Sequence, residues 1–154
     1  MTMEPITGSL SATSAPATMA PAGPPHTYIG VAYNMMLGVR VLAVASPLPA
    51  LPLAMVSAHV LECVLKAYLS RSGDDSRVKQ SDVRHNLNSL WSLAHSQGLN
   101  IQQQPPEWVS CLSHLHGYPY HLRYSTGVHG LVTPAPEPMA TELAGLIEQV
   151  RSQI

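Results

Sequence analysis

The chain has 154 residues, 45% of them apolar and only 11% charged, so it can build one core but carries less than half the usual charge. Eight Lys plus Arg against nine Asp plus Glu give a formal charge of -1, which excludes a non-specific duplex binder, because such a protein needs a basic stripe to release phosphate counterions. Phe is absent and Tyr and Trp are few, so the core has to be aliphatic.

Residues 1–26 are rich in Ser, Thr, Ala, Pro and Gly, carry almost no charge and show no apolar period. They read as a disordered tail, leaving 27–154 as a helical domain. Over 28–45, Val31, Met35, Val39 and Leu42 recur at helical spacing. Pro47, Pro49 and Pro52 then predict an extended break over 46–52, since Pro disfavours helix at the residue before it. Leu53, Val56, Val60, Val64 and Ala67 predict the strongest helix, with Leu61, Leu65 and Leu69 widening its stripe. Glu62 precedes Lys66 by four residues, the favourable order for a helical ion pair. Gly73 is the expected stop.

A further helix is expected to start at Ser81 or Asp82, with Val83, Leu87, Leu90, Trp91 and Ala94 inward and Gly98 at its close. Pro105 and Pro106 open the next, in which Trp108, Leu112 and Leu115 face inward and Gly117 ends the run. The last begins after Pro138, with Met139, Leu143, Leu146, Ile147 and Val150 on its apolar face. No alternating run suggests a strand, so the expected fold is an all-α bundle of four to five helices. The connection over 117–137 is long enough to carry function.

Cys63 and Cys111 fall in helical patterns and make no disulfide framework. No secretion signal is readable, and the apolar stretch 41–56 is broken by three prolines, so the expected location is cytoplasmic, with no membrane span.

Three elements together resemble the HEPN family of helical domains. Ala58, His59, Glu62, Cys63 and the run from Leu65 through Lys66, Ala67 and Tyr68 to Leu69 look like its first core helix. His85, Asn86 and Leu87, followed by Leu90, are similar to its His-x-Leu element. Leu122, Arg123 and Tyr124 are similar to an Arg-Tyr element late in many members. The resemblance covers residues 50–154 and implies an up-and-down bundle that pairs as a homodimer. It further implies one of several roles: a metal-independent endoribonuclease, a toxin–antitoxin or defence partner of a nucleotidyltransferase or antitoxin, or a binding module for RNA, nucleotides or other chains.

The nuclease members carry Arg and His four to six residues apart, and here Arg123 and His129 enclose five. His129 would act as general acid or base on a ribose hydroxyl or leaving oxygen, and Arg123 would hold the scissile phosphate. Tyr124 stands where that motif has a polar residue, and the stretch reads as a loop. Arg123 could equally be an ion-pair partner of Glu62 or of a helix C-terminus. Tyr120, His121 and Tyr124 interleave with Arg123 as candidates for stacking on bases, or for closing one end of the bundle. Glu62 and Lys66 form, with His59, either a solvated stripe or a buried pair steadying Arg123. His85 and His95 are expected near helix surfaces, without a role. Cys111, His114, His116 and His121 crowd one region but match no zinc-finger spacing, so no metal is assigned. No phosphate-cradling Gly loop, nucleotidyltransferase motif or other cofactor signature is readable.

Overall fold

In a computed structural model, residues 22–127 and 130–154 are described. Five α-helices follow in order: α1 (His26–Ala43), α2 (Ala50–Leu69), α3 (Leu87–Ser96), α4 (Glu107–His116) and α5 (Pro136–Arg151). A single 3-10 turn, Arg77–Lys79, interrupts the stretch between α2 and α3. The described residues contain no strand, so the protein is an all-α bundle. The expected N-terminal tail lies almost wholly outside the described residues.

α2 is the axis on which the others pack: α1 and α5 share one side of it, α3 and α4 another. Its sequence explains that place. Every residue from Val60 to Ser70 is buried, and a helix apolar on all faces needs cover all round. α2 is also long and apolar enough to cross a membrane by length and composition, although 67% of its apolar window is buried among its neighbours.

The helix faces follow the apolar spacing. Ala32, Met36, Val39 and Ala43 turn α1 inward, and Met139, Leu143, Leu146, Ile147 and Val150 turn α5 inward. α4 buries Val109, Leu112 and Leu115, whereas Trp108 is only half-buried and donates its indole N–H to Glu142 Oε2 at 2.6 Å.

Several boundaries differ from expectation: α1 runs His26–Ala43 rather than 28–45, α5 begins at Pro136 rather than after Pro138, and two further starts have readable causes. α2 begins at Ala50, so the break before it is shorter than 46–52. Pro52 falls in the first turn, where a missing N–H costs nothing because no partner carbonyl precedes it. α3 begins at Leu87, not at Ser81 or Asp82. Asp82 takes both guanidinium nitrogens of Arg77 at 3.0 Å, and Asn86 is the cap, its side-chain oxygen accepting the Ser89 N–H at 3.0 Å.

The far ends of α2 and α3 are tied together. Tyr68 donates its hydroxyl to the Gln97 carbonyl at 3.0 Å, and the Arg71 guanidinium lies 4.2 Å from the Tyr68 ring centroid. Gly98 closes α3 at φ 99, a conformation L side chains rarely adopt.

Candidate functional site: a buried carboxylate beneath a polar cleft

Because α2 is covered on all sides from Val60 onward, the polar residues of that part go into the core with it. Glu62 and Lys66, one turn apart, are both buried. Lys66 Nζ donates to Glu62 Oε1 at 2.6 Å. The other oxygen, Oε2, meets two imidazoles: His116 Nε2 from the end of α4 at 2.5 Å, and His85 Nδ1 from the turn before α3 at 3.2 Å. Three separate elements thus converge on one carboxylate.

Burial alone would push the Glu62 carboxyl up, but hydrogen bonds from His116, Lys66 and His85, with the Lys66 charge, hold it down at about 2. An ionised carboxylate has only lone pairs to offer, so each facing nitrogen must carry the hydrogen. In its uncharged form His85 therefore carries its hydrogen on Nδ1, which leaves Nε2 as an acceptor on the opposite edge of the ring.

The opposite edge matters because His85 is only half-buried and lines a cleft of about 510 Å³. Arg84, Asn88, Ser110, His114, Tyr118 and Tyr120 line it with His85. The Arg84 side chain is exposed and takes no hydrogen bond or ion pair among the described residues. Asp82 also borders the cleft, but Arg77 neutralises it. The cleft therefore offers a free cation, amide and hydroxyl groups, and aromatic faces.

His59, one turn before Glu62, is half-buried. Burial pushes its imidazole below the usual range; Glu62 opposes this, while His116, Arg123 and Lys66 add to it. Its Nε2 lies 3.9 Å from Cys63 Sγ. Burial and the nearby Glu62 charge push the Cys63 thiol up to about 11, with Lys66 opposing, so it stays protonated and unreactive at neutral pH.

The other candidates from the sequence are divided. Tyr120, at φ 65, lines the Arg84–His85 cleft, and its ring meets Tyr118 and Tyr124 edge to face at 5.9 and 6.2 Å between centroids. His121 and Tyr124 line a separate depression with Leu51 and Thr126, and His121 Nδ1 lies 2.7 Å from Thr126 Oγ1. Arg123 is exposed rather than paired with Glu62, whose oxygens are already taken by Lys66, His85 and His116. His129 lies outside the described residues. Cys111, His114, His116 and His121 do not converge as a set: the His114 and His121 rings pack at 5.5 Å between centroids, but Cys111 faces the Val132 carbonyl at 3.3 Å and His116 turns inward to Glu62.

His85 and His116 are the residues that sequence reasoning passed over. His116 had a signal, since it continues the inward phase of Val109 and Leu112 along α4. His85 had none beyond its position in the His-x-Leu element. Comparison with models of known protein families, with curated proteins and with solved structures gives no match.

Proposed function

We propose that this chain is a HEPN-like helical module that binds RNA or nucleotides in the Arg84–His85 cleft. On this reading it works in the cytoplasm as a homodimer, or beside a nucleotidyltransferase or antitoxin in a toxin–antitoxin or defence pair. One observation carries the reading: a guanidinium unpaired among the described residues and a carboxylate-held imidazole share a cleft of about 510 Å³ with two tyrosines. Arg84 suits a phosphate, which a guanidinium holds in bidentate fashion. Tyr118 and Tyr120 offer ring faces to an unpaired base. With a net charge of -1, recognition rests on a few placed groups, so the salt dependence of binding is expected to be shallow.

A second reading, cleavage of RNA through Arg123 and His129, is favoured by the saturation of Glu62. That saturation leaves Arg123 exposed rather than consumed in a structural ion pair.

One experiment addresses both. Short labelled single-stranded RNA is titrated with purified protein in EDTA, following anisotropy and chain length together, with Arg84→Ala, Arg123→Ala and His129→Ala alongside. The binding reading expects saturable binding that Arg84→Ala weakens by roughly tenfold, the loss of one charge-assisted contact. Absence of binding, or equal binding by Arg84→Ala, overturns it. Cleavage that Arg123→Ala and His129→Ala both abolish establishes the second reading.

A further inference from the structure

We propose that Glu62, His85 and His116 form a binding site for one zinc-like divalent ion, with the remaining coordination position opening toward the Arg84 cleft. Glu62 Oε2, His85 Nδ1 and His116 Nε2 all lie within 4.8 Å of one another. Two imidazoles and a carboxylate suit zinc, cobalt or nickel; magnesium and calcium prefer oxygen alone. Three protein ligands plus an open position is the arrangement of reactive zinc sites, whereas structural sites are closed by four.

The distances are those of ligands drawn together. An ion held at ~2.0–2.2 Å by each ligand atom sets those atoms roughly 3.3 Å apart. The His85 to Glu62 separation is already 3.2 Å, and the His116 to Glu62 separation of 2.5 Å opens by less than an ångström. His85 sits in a turn with its ring half-exposed and is free to follow the ion, whereas the small opening between His116 and Glu62 is taken up by two buried side chains. Lys66 occupies Oε1 alone and so keeps Glu62 monodentate through Oε2, the kind of outer hydrogen bond that orients a ligating carboxylate.

Charge sets the remaining ligand. Glu62 is already balanced by Lys66, so a divalent ion brings an excess of positive charge into a buried place. An anion entering from the cleft, hydroxide or a phosphate oxygen, offsets it. When the ion takes the inner nitrogen of His85, the ring hydrogen moves to Nε2. The opposite edge of His85 is then a donor, which also favours an anion. The site stands on this geometry whether or not the cleft takes RNA.

The test uses the full chain without an affinity tag, stripped with EDTA and titrated with cobalt(II) and then zinc. One equivalent of cobalt is expected to give the visible absorption of a low-coordinate ion, and zinc is expected to displace it. His85→Ala, which alters a half-exposed turn residue, is expected to weaken uptake at least tenfold; His114→Ala, in the same cleft but outside the ligand set, is not. X-ray absorption of the zinc-loaded wild type is expected to show nitrogen and oxygen neighbours only. No stoichiometric uptake, uptake unchanged in His85→Ala, or a sulfur neighbour overturns the proposal. Binding of RNA in EDTA is scored separately, so either reading can fail alone.

Discussion

A carboxylate withdrawn from water keeps its charge only where donors replace the water, and Glu62 meets three: Lys66, His85 and His116. Removing that charge strands the buried Lys66 ammonium. In the metal-free protein, Glu62→Gln is therefore expected to cost about 3–5 kcal/mol, the usual penalty for breaking a buried pair, read as a lower urea midpoint. A loss of unfolding free energy below about 1 kcal/mol would mean that Lys66 finds water instead. The same group sets an acid limb. Its carboxyl is held at about 2 against an ordinary 4.5, so the folded state favours the ionised form. That contribution is complete above about pH 4.5 and is lost as pH falls toward 2. Wild type in EDTA should lose stability across that window, and Glu62→Gln should lack that part of the slope. The ion pair of Glu62 with Lys66 was legible in the sequence, because helical spacing is local. Its meeting with His85 and His116 was not, because the three segments come together only when α2, the turn before α3 and the end of α4 pack.

At the scale of the element, periodicity located α1, α2 and α5, since each has one apolar phase that survives packing or, for α2, an apolar surface all round. It failed at the start of α3. Ser81 and Asp82 have cap-forming side chains and Val83 is buried, so an earlier helix satisfied the pattern. One local and one tertiary contact go with the later start. Asp82 is paired with Arg77, and His85, in the turn ahead of the helix, reaches Glu62. Asn86 then becomes the first residue able to cap, accepting the Ser89 N–H. Asn86→Ala is thus expected to lower stability by about 1 kcal/mol, while Asn86→Asp retains it. The same variants read the site, because the cap holds the turn that carries His85. Stability unchanged in Asn86→Ala would show that α3 is positioned by packing of Leu87, Leu90 and Trp91 alone.

The whole molecule leaves apolar surface uncovered. Leu37 and Val41 on α1, with Val44 at its C-terminal cap, recur at i, i+4 and i+7, away from the phase of Ala32, Met36, Val39 and Ala43 that enters the core. Val41 and Val44 are 68% and 72% exposed, and Leu48 and Leu51 extend the apolar surface to the start of α2. Single exposed apolar side chains are ordinary; a stripe of them on a helix marks an interaction face. At a net charge of -1, two copies repel one another little. The homodimer implied by the sequence resemblance therefore has a surface to form on, and that surface is separate from the Arg84–His85 cleft. The expected result in sedimentation equilibrium is a concentration-dependent dimer. Val41→Glu with Val44→Glu should convert it to a monomer, since carboxylates facing each other across the join would be desolvated without partners. Because neither position packs inside the bundle, the circular dichroism and the thermal midpoint of the monomer should stay close to wild type. A wild type monomeric at all concentrations would remove the homodimer and leave this face for a different chain. A dimer untouched by the two charges would move the interface elsewhere on the bundle.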